Sequence, residues 1–230
     1  MWEQLKVYRQ LDKKEINPTF KKFGKEILTY LKNYSIDQTS SIIKLYKVHN
    51  GLEQAVFIEK TVGSYNLKVS VCIKPIDFYV KHRFTMLAIT PLGEIMNSYR
   101  RSHYPLTQEW RDLAFYLVER IKNEIEQFFQ RYDSFEKIIS HRLDIEPKAL
   151  EWHNKYELLI YAAIKTRNTT LLNFYINKKL TGFTGLIITH SEYLKPDPKQ
   201  INEIDFLNKI KLLGLTGDFD AIENEIRKVS

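Results

Sequence analysis

Two runs rich in β-branched and aromatic residues, Ser41 to Val48 and Leu52 to Thr61, are separated by His49-Asn50-Gly51. Asn-Gly is the strongest short hairpin signal, because both central turn positions need positive φ and these residues adopt it at least cost. A turn at Val62-Gly63-Ser64 leads into Tyr65, Leu67, Val69, Val71 and Ile73, which alternate strictly with Asn66, Lys68, Ser70, Cys72 and Lys74. Period-two alternation predicts a strand with one buried and one wet face. Phe84 to Thr90 reads as a fourth strand. Connections this short leave no room for crossover helices, so the strands form an antiparallel meander. Glu53 and Glu59, an even number of residues apart on the second strand, are expected to face water together.

Helical signals flank the strands. Asn17-Pro18 reads as a helix start. Phe20, Phe23, Ile27 and Leu31 then recur at helical spacing, with Lys21, Lys22, Lys25 and Lys32 mostly between them, to an end near Asn33. A shorter helix around Glu3 to Leu11 is compatible with the residues before it. Thr107 is placed to cap a long helix whose apolar stripe runs through Trp110, Leu113, Ala114, Leu117, Val118, Ile121, Ile125, Phe128 and Phe129. Asp133 and Glu136 have capping-box spacing. From Pro147 onward the signal is helical: Leu150 to Ile164, Thr169 to Lys179, Gln200 to Leu213 and Phe219 to Val229, with a mixed segment from Leu180 to Pro198. The two helix pairs share a short polar turn, with Asn168 and Asp218 in similar places. Two ordinary helical hairpins explain this better than a worn solenoid repeat, since two units fall below the three a repeat array needs. Segregated strands and helices make the expected class α+β: about four antiparallel strands packed on two long helices, then an all-helical region. A boundary near residue 145 divides the chain into 1–145 and 146–230.

The composition is globular, with 43% hydrophobic, 27% charged and 13% aromatic residues, Tyr leading at 14 copies. The lone Cys72 rules out an intrachain disulfide and suits a reducing compartment. The start, MWEQLKVYRQLDKKE, lacks the apolar core of a signal peptide, and no apolar run approaches the ~20 residues that span a bilayer. The expectation is a cytoplasmic protein that does not engage membranes. A net charge of +7 raises the chance of an acidic partner, nucleic acid or protein, although a solvated surface that keeps the protein soluble is the plainer explanation.

A search for chemistry finds no catalytic constellation. His49, His82, His103, His141, His153 and His190 form no zinc-type pair, so no metal or cofactor is expected. No phosphate-binding glycine loop or nucleophile elbow is present. The GxxG stretches at Gly182–Gly185 and Gly214–Gly217 read as helix stops rather than as an RNA clamp. The most unusual segment is Tyr99-Arg100-Arg101-Ser102-His103-Tyr104. Tyr and Arg are enriched at binding hot spots and also suit phosphate contact and base stacking. With Lys81 and Arg83 nearby, Tyr99, Arg100, Arg101, His103 and Tyr104 form the candidate binding surface. The plain alternative is a loop whose tyrosines pack on the following helix.

Residues 17–143 resemble a bacterial domain family of unknown function. The resemblance is carried by element order, by Leu92-Gly93-Glu94, by Trp110, and by Arg131-Tyr132-Asp133-Ser134-Phe135-Glu136-Lys137-Ile138-Ile139 with its Tyr-x-Ser-x-Glu pattern. The chain departs from the family at Tyr34-Ser35-Ile36, where a Gly-Phe-Lys-Lys run would end the first helix. Similar domains occur among toxin-neutralising immunity proteins, so the resemblance implies a non-catalytic protein-binding module of that type. Nucleic-acid binding is the alternative that charge supports. An enzyme with a site assembled from scattered residues, such as His103, Glu94 or Arg111, would need a deep pocket to gather them.

Overall fold

The computed structural model describes residues 9–61, 66–77, 89–91, 103–141, 155–190 and 198–229. The chain is α+β. Helix α1 (Ile16–Tyr30) precedes strands β1 (Ser35–Gln38), β2 (Ile42–His49), β3 (Leu52–Lys60), β4 (Asn66–Pro75), β5 (Ile89–Pro91) and β6 (His103–Pro105). Helix α2 (Trp110–Arg120) then runs through a π-helical turn (Ile121–Ile125) into α3 (Glu126–Arg131), followed by α4 (Phe135–Ser140). The C-terminal part is helical: α5 (Lys155–Lys165), α6 (Thr169–His190), α7 (Pro198–Leu215) and α8 (Phe219–Val229). No helix among the described residues is long and apolar enough to cross a membrane.

The sheet is antiparallel, ordered β1-β2-β3-β4-β5, with β6 also on β4. The hairpin forms where the sequence places it, with Asn50 at φ 47° and Gly51 at φ 76°. The edge strand β1 and the short β6 were not expected. Ser-Ile-Asp-Gln carries little β signal, and His103–Pro105 falls in a stretch that reads as a loop. Strands β5 and β6 lie along the same edge of β4: Pro91 is opposite Ser70 and His103 is opposite Lys68. Pro91 and His103 therefore meet the same sheet edge two β4 positions apart, about 7 Å.

The core lies between one sheet face and the helices. Ile43 and Leu45 of β2, Leu52, Val56 and Ile58 of β3, and Leu67, Val69, Val71 and Ile73 of β4 point to it, as period two requires. From α1 come Phe20, Phe23 and Ile27, and from α2 through α3 come Leu113, Leu117, Ile121, Ile125 and Phe129. Each such side chain contributes roughly 1.5–3 kcal/mol relative to exposure. Close approach of α1 depends on Gly24, where an added Cβ would lie 3.1 Å from Ile43 Cδ1 and 3.2 Å from Ile36 Cδ1. The same apolar cluster continues into α5 through α8.

The opposite sheet face is not wet, which corrects the half-buried reading of β4. Ala55, Phe57 and Cys72 are fully buried there, and Ser70, Lys44 and Lys74 are buried beside them. Alternation of polar with apolar residues misled because the polar residues neutralise one another rather than meeting water.

Several helix ends differ from expectation. Thr107 does not cap α2; it is buried, and it pairs with Gln10 in an isolated bridge. Asn17 lies inside α1 and its side chain accepts from Lys60. Ser134, not Asp133, caps α4 by accepting from the Lys137 amide at 3.3 Å, while Asp133 pairs with the Lys137 ammonium at 2.8 Å. Helix α6 runs on through Thr181 to His190, so Gly182 and Gly185 are helix-interior rather than stops. Gly217, at φ 72°, does mark a helix end.

The two C-terminal hairpins use one turn. Arg167 (φ 51°) and Gly217 (φ 72°) hold equivalent left-handed positions. The next amide bonds back across the helix end in each, Asn168 to Ala163 O at 2.8 Å and Asp218 to Leu213 O at 3.1 Å. Asn168 Oδ1 and Asp218 Oδ1 then cap the following helices, accepting from Leu171 and Ala221 at 3.0 Å.

Candidate interaction surface

Of the residues singled out in sequence, Tyr99, Arg100, Arg101, Lys81 and Arg83 lie outside the described residues. Two are described, and β6 separates them. His103 is exposed. Tyr104 is only 2% exposed, its ring centroid 5.9 Å from that of Tyr116 on α2. Its inclusion in a binding surface is therefore corrected: this tyrosine packs on the helix that comes after it.

The described structure places a different surface on the outer side of α1 and α2. Tyr30 and Phe115 are 45% and 56% exposed. Their rings meet edge to face, with centroids 6.3 Å apart and planes at 85°. Phe115 falls off the buried stripe of α2 because its neighbours Leu113, Ala114, Leu117 and Val118 hold the core positions. Tyr30 is the last residue of α1, and its hydroxyl lies 3.4 Å from Glu26 Oε1. Exposed Lys22 and Lys25 lie on α1, exposed Lys32 follows its end, and Lys122 is exposed on the π-helical turn. None of these four lysines makes an ion pair among the described residues.

Beside the aromatic pair is an open cleft of about 610 Å³, lined by Thr29, Tyr30, Leu31, Lys32, Asn33, Tyr34, Lys122 and Glu126. The π-helical turn shapes it. The Glu126 amide bonds to Ile121 O, five residues back, where an α-helix would use four. One extra residue rotates the remainder of the helix by about 100°. Glu126 thereby turns inward while Lys122 stays at the rim. The floor is neutralised: Tyr34 donates to Glu126 Oε1 at 2.6 Å, and Lys47 pairs with Glu126 Oε2. The Lys47 ammonium also faces the Tyr34 and Phe129 rings, 5.4 and 5.6 Å from their centroids. Burial, and then the hydrogen bond and charge of Glu126, hold the Tyr34 phenol protonated far above its ordinary pKa of 10.0.

That shift has a pH consequence. Below about pH 10 the unfolded and folded chains both keep this proton, so stability is unaffected. Above it, the unfolded chain releases the proton while the folded chain retains it. Stability then falls with rising pH by about 1.4 kcal/mol per unit for this one group. Urea unfolding between pH 9 and 11 should therefore show a shallower alkaline loss for Tyr34→Phe than for the unaltered chain. Parallel curves would contradict the assignment.

A second polar cluster sits on the opposite sheet face. Lys44, 2% exposed, runs along β2 past the Tyr46 ring, 4.3 Å from its centroid, to meet Glu53 Oε2 at 2.7 Å. Lys74, directly across from Glu53 in the β3–β4 register, approaches Oε1 at 3.5 Å. The Glu53 side chain is 12% exposed, so the expectation that it faces water is corrected. Its Oε1 accepts no hydrogen bond among the described residues. Cys72 is buried on the same face, opposite Ala55. Among the described residues, no group of three His, Cys, Asp or Glu is placed to hold a metal ion.

The signal that would have found the α1–α2 surface is an aromatic out of phase with its helix's apolar stripe. Phe115 carries it, whereas Tyr/Arg density points to residues 99–104. Comparison with protein-family models, with curated proteins and with solved structures finds no match to this chain.

Proposed function

We propose that this protein is a non-catalytic protein-binding module whose docking surface is the outer face of α1 and α2. The observation that carries this reading is the exposed Tyr30–Phe115 pair, with Lys32 and Lys122 lining the adjoining cleft and Lys22 and Lys25 exposed on α1, none ion-paired among the described residues. Exposed aromatics in contact offer a rigid apolar anchor at little entropic cost, which is the chemistry of interface hot spots. The lysines supply steering toward an acidic partner surface. The resemblance to a domain family with relatives among toxin-neutralising proteins favours an antagonist of that kind, acting in the cytoplasm. A free, buried Cys72 is compatible with that compartment.

Nucleic-acid binding is the second reading, supported by the same lysines. The aromatic pair weighs against it. Tyr30 and Phe115 pack edge to face against each other, and base stacking needs open ring faces.

The test is capture of a partner from native, nuclease-treated lysate, with affinity then measured on the purified complex. Phe115→Ala is expected to weaken binding about 30-fold, in line with the ~2 kcal/mol typical of a central aromatic anchor. Phe115 is exposed, so the fold should survive, which circular dichroism would verify. A partner held equally by Phe115→Ala, or capture abolished by nuclease alone, would overturn the reading.

A further inference from the structure

The cleft beside the aromatic pair has a positive rim over a neutralised floor. Lys32 and Lys122 stand at its rim, exposed and without ion pairs among the described residues. Its other charged lining group is Glu126, already engaged by Tyr34 and Lys47 on the floor. Glu26 stands one turn away beside Tyr30. Leu31 and Tyr30 close the C-terminal end of α1, where the helix dipole leaves partial negative charge. Two rim ammoniums without ion pairs, above a floor whose carboxylate is already neutralised, leave positive charge to receive one compact negative charge.

We infer that this cleft receives a single carboxylate, an Asp or Glu side chain of a partner protein, between Lys32 and Lys122. The inference rests on the docking reading above and adds to it the chemistry of the contact. The acidic side chain enters the cleft while an adjacent apolar residue of the same partner segment covers Tyr30 and Phe115. Lysine suits this role, because its ammonium is a point charge on a flexible stem and accepts a carboxylate from several directions. The π-helical turn is the positioning device. It places Lys122 at the rim and Glu126 on the floor, though they lie one turn apart on the same helix.

The probe is a blocked hexaglutamate peptide, titrated into the full chain at low ionic strength and followed by amide NMR. Matched titrations use hexalysine, inorganic phosphate and a single-stranded oligonucleotide. Hexaglutamate is expected to shift the amides of residues 29–34 and 122–126 first. Lys32→Glu with Lys122→Glu should lower its affinity by roughly tenfold or more. Lys14→Glu, an exposed change before the start of α1, should leave it unchanged. Stronger binding of phosphate or oligonucleotide at these amides would overturn the carboxylate assignment, as would shifts spread over all exposed lysines or no shift at all. The docking reading fails separately. If Phe115→Ala weakens the captured partner and the double lysine reversal does not, the cleft assignment falls and the docking surface stands. If the lysine reversal weakens it and Phe115→Ala does not, the aromatic anchor falls.

Discussion

Glu53→Gln is expected to destabilise the fold by about 3–5 kcal/mol, read as a lower urea midpoint with an unchanged slope. The carboxylate faces two lysines in the interior, Lys44 at 2.7 Å and Lys74 at 3.5 Å. Removing its charge takes away the carboxylate that both buried ammoniums share. The size of the loss does not mean that the cluster stabilises the protein on balance. Desolvating three charges costs several kcal/mol each before their attraction is counted. Replacing all three together, as Lys44→Met, Glu53→Leu and Lys74→Met, is therefore expected to be neutral or to stabilise by about 1–4 kcal/mol. If the single change costs less than about 1 kcal/mol, the cluster is far better hydrated than its burial implies.

Phe129→Ala is expected to cost about 3–5 kcal/mol, the usual range for a fully buried phenylalanine. Phe129 is completely buried at the end of the α2–α3 helix, against Phe128 and the Lys47 ammonium. Its carbonyl accepts from the Gln54 side chain at 3.0 Å, tying the helix end to β3. The ring is also one wall of the niche that holds Lys47 against Glu126, so its loss should loosen Tyr34 as well. Phe129→Ala would then lower the alkaline sensitivity attributed to Tyr34, along with overall stability. Thermal unfolding at neutral pH and at pH 10.5 separates the two effects. A stability loss with unchanged alkaline sensitivity would mean that Tyr34 is held without Phe129.

Much of the fold was legible because its strongest signals are local. Phe20, Phe23 and Ile27 put α1 within a few residues of its observed bounds, and Asn50-Gly51 fixed the hairpin. Phe219 to Val229 matches α8 at both ends. The parts that were not legible depend on distant partners. Lys74 reads as solvent-facing until strand register places Glu53 opposite it. Strand β1 lacks propensity and exists because β2 offers an edge. Helix α6 passes through two glycines that read locally as stops. The candidate site failed for a related reason. Tyr104 and its neighbours stood out by composition, yet composition does not say which face of β6 a side chain takes. Phe115 is out of phase with the apolar stripe of its helix, a signal overshadowed by the Tyr/Arg density, and only packing shows that Tyr30 is left outside as well.

Site-specific photo-crosslinking in cells tests the docking account most directly. A photoreactive phenylalanine analogue is introduced singly at Phe115 and at Lys32, and at Val48 and Leu212 as exposed positions elsewhere. The account predicts one discrete protein adduct from positions 115 and 32, weakened at 115 by Lys32→Glu with Lys122→Glu, and none of that mass from 48 or 212. Adducts of equal yield from all four positions, an adduct only from Leu212, or crosslinking to nucleic acid at position 115 would contradict it.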